Sequence, residues 1–155
     1  MKRVYVASSW RNPYQPHIVK LLTTSGHSVY DFRNPHSGDN GFSWKEIDPG
    51  WKLWSVINFK DALCSSIAER GYQNDIVALD IAEVVVLLLP SGRSAHTEAG
   101  YFKGKGGVVI VHIPEPCEPE LMYKMFNVIT TDDVELLKIL TCSLSELRTR
   151  TLARV

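Results

Sequence analysis

The densest chemistry in the chain lies in VVVLLLPSGRSAHTEAG, residues 84–100. A short apolar run ends at Pro90, a turn of small residues follows, and Glu98 comes soon after on what reads as the start of a helix. Ser91, Gly92 and Ser94 offer hydroxyls and backbone N–H groups that suit a phosphate or a sugar hydroxyl. A carboxylate in the first turns of that helix lies near the positive end of its dipole, which favours the ionised form. The same residues also read as ordinary helix-forming residues, with Ser94 as an N-cap and Glu98 as a first-turn acid. Spacing alone leaves both readings open. A second unusual stretch, 33–55, combines turn residues (Asn34, Pro35, Gly38, Asp39, Asn40, Gly41, Pro49, Gly50) with Phe42, Trp44, Trp51 and Trp54. A long aromatic-rich loop of this kind serves as a lid in many enzymes, and the same aromatics can cap a small hydrophobic cluster.

Other chemistries find no support. Cys64, Cys117 and Cys142 match no zinc or CxxC spacing, and the five histidines form no HxxxH or HxH pair, so no metal is expected. No GxGxxG follows the first strand and no GxxxxGK[ST] occurs, so neither a dinucleotide site nor a P-loop is expected. With 17 Lys plus Arg against 17 Asp plus Glu, the formal net charge is zero, which argues against a dedicated nucleic-acid or anionic-membrane binder. No apolar run is long enough to span a bilayer, and the stretch after Lys2 and Arg3 is too short for a signal-peptide core. The expectation is a cytoplasmic protein with reduced thiols.

The elements that would position these residues alternate. The segment 3–8 reads as a strand. A helix opened by Asn12-Pro13 follows, with Ile18, Val19, Leu21 and Leu22 on its buried face, and 27–32 reads as a second strand. Residues 56–70 and 73–82 read as two helices, 84–90 and 108–113 as strands buried on both faces, and 91–106 as a loop and helix stopped by glycines. A short strand at 127–131 and a helix at 132–140 precede a tail, 141–155. At 155 residues, 45% hydrophobic and 22% charged, the chain is predicted to form a single α/β domain, 1–155. The predicted fold is a flavodoxin- or Rossmann-like open parallel sheet of about five strands with helices on both faces. Ligands of such sheets sit at the strand carboxyl ends, which points to 8–10, the loop after Asp31, 91–98 and the loop after Ile113.

Taken in order, YVASSW, YQNDIVALD (72–80), VVVLLLP and TEAGYFKGKGGVVIV resemble the nucleoside 2-deoxyribosyltransferase family and its related deoxynucleoside 5′-monophosphate N-glycosidases. The resemblance covers roughly residues 3–130. It implies an enzyme that cleaves the N-glycosidic bond of a (deoxy)nucleoside or its 5′-monophosphate, by hydrolysis or by transfer of the sugar to another base. It implies no cofactor, a small-molecule nucleoside or nucleotide partner, and a homo-oligomer. Carried over by position, Glu98 corresponds to the nucleophile at the anomeric carbon, Tyr5 to the residue that positions it, and Asp75 to the acid that helps the base depart. Trp10 corresponds to an aromatic lining the base pocket. Asn127 falls where the transferases bring an Asn from a neighbouring subunit to the sugar.

The roles make chemical sense. Glycosidic cleavage passes through an oxocarbenium-like state that a carboxylate can capture, and the leaving base needs a proton. One departure stands out: the transferases carry an acid about six residues before the nucleophile, where this chain has Gly92 among Ser91, Arg93 and Ser94. The monophosphate hydrolases have a Ser near there for the 5′-phosphate, and Arg93 adds a fork donor suited to phosphate. This tilts the expectation toward a nucleotide. The competing readings are a nucleotide-binding or sensing module without turnover, against which Tyr5, Asp75 and Glu98 all stand, and a purely structural α/β subunit.

Overall fold

The computed structural model describes residues 1–150. The chain forms two compact units: Met1–Tyr30 with the chain from Leu79 onward, and Asp31–Ala78 between them.

The first unit holds one five-stranded, all-parallel sheet built from β1 (Arg3–Ala7), β2 (Ser28–Tyr30), β3 (Val84–Leu88), β4 (Val108–His112) and β5 (Val128–Thr130). The strand order is β2-β1-β3-β4-β5 with parallel register throughout, as in Tyr5 opposite Val85 and Leu88 opposite His112. This is the flavodoxin-like doubly wound order, as the sequence predicts, and its switch point falls between β1 and β3. Every residue of β3 and β4 is buried, which explains why both read as unbroken apolar runs.

Strand alternation sorts the core into two faces. Val4, Val6, Val84, Val86, Leu88, Val108 and Ile110 form one cluster with Ile18 and Leu22 of α1 (Gln15–Thr24). Leu136, Ile139 and Leu140 of α5 (Asp133–Thr141) and Leu147 of α6 (Leu144–Thr149) complete it. The intervening residues, Tyr5, Ala7, Val85, Leu87, Val109 and Val111, turn to the opposite face. There α4 (Arg93–Gly104) crosses β1, β3 and β4 and buries Ala95, Ala99 and Phe102. A side chain at Gly107 would run into the carbonyl oxygen of Phe102, so the glycine stop after α4 is steric as well as conformational. Among the described residues, no helix is long and apolar enough to cross a membrane.

The second unit carries α2 (Val56–Leu63) and most of α3 (Ser66–Ile81), with short 3₁₀ turns at Trp44–Glu46 and Trp51–Leu53. The sequence reading put the helix break near Gly71; it lies instead at Cys64 and Ser65. Ser65 caps α3 by accepting the Ala68 N–H at 3.1 Å. Gly71 lies within α3, where a side chain would collide with Phe42, 2.7 Å away. Phe42 in turn packs edge-on against Trp44, which meets Trp54 and Phe59 at 5.7 and 5.9 Å between ring centres. Trp54 Nε1 donates to Asp48 at 2.6 Å, which helps hold that carboxyl below the usual range. The cluster reading of this loop is therefore realised.

His112 ends β4 fully buried. Its Nε2 donates to Asp133 at 2.9 Å, while Nδ1 has no partner among the described residues. Burial holds the ring below the ordinary histidine pKa, against the opposing pull of Asp133. Burial likewise lowers His27, helped by the N-terminal amine and Lys2. Groups whose folded pKa is depressed lose their contribution as pH falls, because the unfolded chain then binds more protons. Burial also works on Asp133, but hydrogen bonds from His17 and His112 outweigh it and lower its pKa, so its own contribution is lost only in the carboxylate range. Urea unfolding should therefore show lower stability at about pH 5.5 than at about pH 7.5, starting near the free histidine value of about 6.5. His112→Gln, which keeps a donor for Asp133 but does not titrate, should flatten that dependence. An unchanged slope in the variant would remove His112 as its source.

Candidate functional site

The carboxyl ends of β1 and β3 are held together by one amide. Asn12, 1% exposed, points Nδ2 at Ser8 Oγ (2.9 Å), Leu88 O (3.2 Å) and Pro90 O (3.0 Å). Its Oδ1 accepts the Tyr14 N–H at 2.8 Å, and Ser8 Oγ donates to Leu88 O at 3.1 Å. The carbonyls of Leu88 and Pro90 flank the cis Leu89–Pro90 peptide. The sequence reading took Asn12 as a helix opener, yet α1 starts only at Gln15. No local signal announces its role, because its partners lie 76 and 78 residues away.

From that clamp the chain enters Ser91 and Gly92, and α4 begins at Arg93 with Gly92 as N-cap and no side-chain cap. Ser94 is therefore the second helical residue and not the cap that one sequence reading allowed. Glu98 is half-buried and lies more than a turn into α4, whose first turn carries no acid. The dipole argument made for it from sequence weakens accordingly, since that field fades beyond the first turn. Ser91 is half-exposed, and Gly92, Arg93 and Ser94 are exposed.

Tyr5 is buried in the centre of β1 on the sheet face that α4 covers, stacked on Tyr30 with 5.1 Å between ring centres. Trp10, in the loop after β1, is 50% exposed. The first unit thus gathers Tyr5, Trp10, Ser91, Gly92, Arg93, Ser94 and Glu98 on β1, α4 and the loops that leave β1 and β3. Asp75 belongs to the second unit, half-buried on α3.

Asn127 does not join that group. It precedes β5 at the amino end of the sheet, 2% exposed. Its Oδ1 accepts from Val109 N (3.0 Å) and Lys103 Nζ (2.9 Å), and its Nδ2 donates to Leu147 O and Arg150 O. These bonds fasten β4, α4 and α6 to one another. Burial lowers the pKa of the Lys103 ammonium in this packing.

Two residues that sequence reasoning passed over border the turn. His96 Nδ1 lies 2.8 Å from Gly92 O and 3.4 Å from Ser91 Oγ, and its Nε2 lies 2.8 Å from Tyr123 Oη. Tyr123 sits in the 3₁₀ turn Leu121–Met125 that follows β4. The four-residue interval from Gly92 to His96 was a usable signal for the first contact; nothing local marks Tyr123. Further along the edge, Tyr14 donates to Glu115 at 2.8 Å, and that bond raises the phenol pKa. Among the described residues, no group of three or more His, Cys, Asp or Glu is arranged to hold a metal ion.

No family model matches the chain, and no curated protein matches it. Among solved structures, it is similar to a 2-deoxyribosyltransferase from the psychrotolerant bacterium Bacillus psychrosaccharolyticus. The identity is 17% over 96% of this chain and 97% of that one, with a TM-score of 0.61. It also aligns with a CMP N-glycosidase from Clostridium botulinum, at 17% identity over 91% of this chain and 100% of that one, with a TM-score of 0.48. The chain therefore has the α/β fold of the 2-deoxyribosyltransferase.

The Asn12 clamp can be tested by charge. Asn12→Ala should cost about 1–3 kcal/mol in urea unfolding, because Pro90 O and Ser8 Oγ lose the amide donor and Leu88 O keeps only Ser8 Oγ. Asn12→Asp is nearly the same size but aims a carboxylate at acceptors, so it should cost more than Ala. An Asp variant as stable as the Ala variant would show that the amide is not acting as a donor.

Proposed function

We propose that the protein cleaves the N-glycosidic bond of a deoxynucleoside 5′-monophosphate or the matching nucleoside, by hydrolysis or by transfer of the sugar to another base. What supports this most is that α4, which carries Glu98 and follows the Ser91–Ser94 turn at the carboxyl end of β3, covers the sheet face to which Tyr5 of β1 turns, in a doubly wound fold whose ligands bind at the strand carboxyl ends. The likeness of fold to a 2-deoxyribosyltransferase agrees with it.

In this reading the Glu98 carboxylate attacks the anomeric carbon as the bond to the base nitrogen breaks. The base leaves with a proton from a general acid, the role that the sequence resemblance gives to Asp75, and a glycosyl ester on Glu98 remains. Water, or a nitrogen of an acceptor base, then bonds to the anomeric carbon, the Glu98 ester bond breaks, and the proton lost by the nucleophile restores the general acid. Tyr5 orients Glu98, Trp10 lines the base pocket, and Ser91, Gly92, Arg93 and Ser94 receive the 5′-phosphate. Asn127, committed to four bonds inside its own chain, takes no part. We read the protein as a cytoplasmic homo-oligomer. The exposed apolar side chains of Leu53, Val56 and Ile57 in the second unit support the assembly.

The test is release of free base, followed by chromatography, from a mixed pool of nucleosides and nucleotides. Turnover by the wild type supports the reading, and binding without turnover would make the protein a nucleotide-binding module. Glu98→Gln keeps size and hydrogen bonding but removes the charge that meets the developing cation. It should lower kcat by at least ~100-fold with substrate still bound. A 2-fluoro-2-deoxy analogue, which slows breakdown of the ester, should label Glu98 in peptide mass spectra. Near-normal turnover in Glu98→Gln would sink the mechanism.

Arg93→Ala should weaken a 5′-monophosphate more than its nucleoside. An equal loss for both would take Arg93 out of the phosphate site.

A further inference from the structure

We infer that His96 and Tyr123 are a positioning pair that sets the Ser91–Arg93 turn and, through it, the preference for a phosphorylated 5′ end; the inference rests on the proposed reading of that turn. The chain of contacts starts at Gly92 O, which accepts the backbone N–H of His96 at 3.3 Å and the ring Nδ1 at 2.8 Å. A carbonyl can only accept, so Nδ1 must carry the proton. In the Nδ1–H tautomer the lone pair is on Nε2, and the Tyr123 hydroxyl 2.8 Å away is the donor to it.

Tyr123 is itself fixed. It is 7% exposed, stacked on His96 at 5.8 Å between ring centres, and stacked on buried Phe126 at 6.0 Å. The line Phe126, Tyr123, His96, Gly92 therefore couples the turn after β4 to the turn after β3. Pinning the Gly92 carbonyl along α4 has a geometric consequence. In a trans peptide the N–H points opposite to the C=O, so the Arg93 N–H is held facing away from the helix body. The first helical N–H groups have no partner within the helix, and they are the donors a phosphate would use. Gly92 has no side chain with which to cap them, so the ring of His96 adds a second and shorter hold on this turn beside the backbone bond.

The experiment compares KM and kcat for a deoxynucleoside 5′-monophosphate and its nucleoside in Tyr123→Phe, His96→Leu and His96→Asn. Tyr123→Phe keeps the ring stack and removes the donor that fixes the tautomer, and His96→Leu removes the contact with Gly92. In both, KM for the monophosphate should rise at least ~5-fold, on the scale of one lost hydrogen bond, with kcat little changed and the nucleoside unaffected. His96→Asn keeps a donor at the position of Nδ1 and should restore the monophosphate KM to within about twofold of wild type. Nitrogen-15 spectra should show His96 as the Nδ1–H tautomer in the wild type and a shift from it in Tyr123→Phe. An equal KM rise for both substrates, a loss confined to kcat, or an Nε2–H ring in the wild type would overturn the inference. A wild type that turns over both substrates with the same KM would overturn it too. Absence of base release by the wild type would instead overturn the functional reading beneath it.

Discussion

The arrangement of the first unit depends on satisfying two carbonyls. Where β3 ends, Leu88 O and Pro90 O both need donors, and an acceptor left unpaired away from water costs about 1–3 kcal/mol. Asn12 meets both with one amide and adds Ser8 Oγ. The loops leaving β1 and β3 diverge to opposite sides of the sheet in a doubly wound fold, so a crevice opens between them. A single side chain bridging that divergence fixes where each loop begins, and α4 is aimed from there. The position of Glu98 follows from the aim of α4, as does that of the Ser91–Ser94 turn.

The sheet contributes the second constraint. Because β3 and β4 are buried on both faces, side chains alternate between a core shared with α1, α5 and α6 and one shared with α4. Tyr5 falls in the second set because Val4 and Val6 fall in the first. A one-residue slip of β1 would send Tyr5 into the opposite core. The register of Tyr5 with Val85 therefore matters to the site as much as the identity of the residue.

The legible parts of the molecule were those governed by local pattern. VVVLLLP and VVIVHI declare buried parallel strands because no polar residue interrupts them before the carboxyl end. The order of strands and helices then left few topologies to choose from. Where a residue acts through a distant partner, its local reading misled. Gly71 resembles a helix break but is a packing site for Phe42, 29 positions earlier, whereas the true break at Cys64 and Ser65 carries no glycine or proline. From sequence Ser94 resembles a cap, which would put Glu98 near the start of the helix; with Gly92 as the cap the helix begins earlier and Glu98 falls deeper. Asn127 followed a pattern of position, but its amide is spent on Val109, Lys103, Leu147 and Arg150, bonds that only the fold creates.

The proposed chemistry asks one helix to serve two negative groups, a substrate phosphate at its start and a carboxylate further on. Arg93 and Glu98 are five residues apart, about 7.5 Å along the axis. At that distance, each unit of phosphate charge would oppose the carboxylate by roughly 2 kcal/mol at an effective dielectric near 20. Unopposed, this repulsion would favour a substrate without phosphate. The helix start answers it with the partial positive charge of its unpaired N–H groups and the full charge of Arg93, both nearer the phosphate than Glu98 is. An acid at Gly92, as the transferases carry near there, would add to the repulsion and suit an uncharged 5′ hydroxyl. The small turn of this chain carries Arg93 and no acid, which suits the anionic substrate proposed for it.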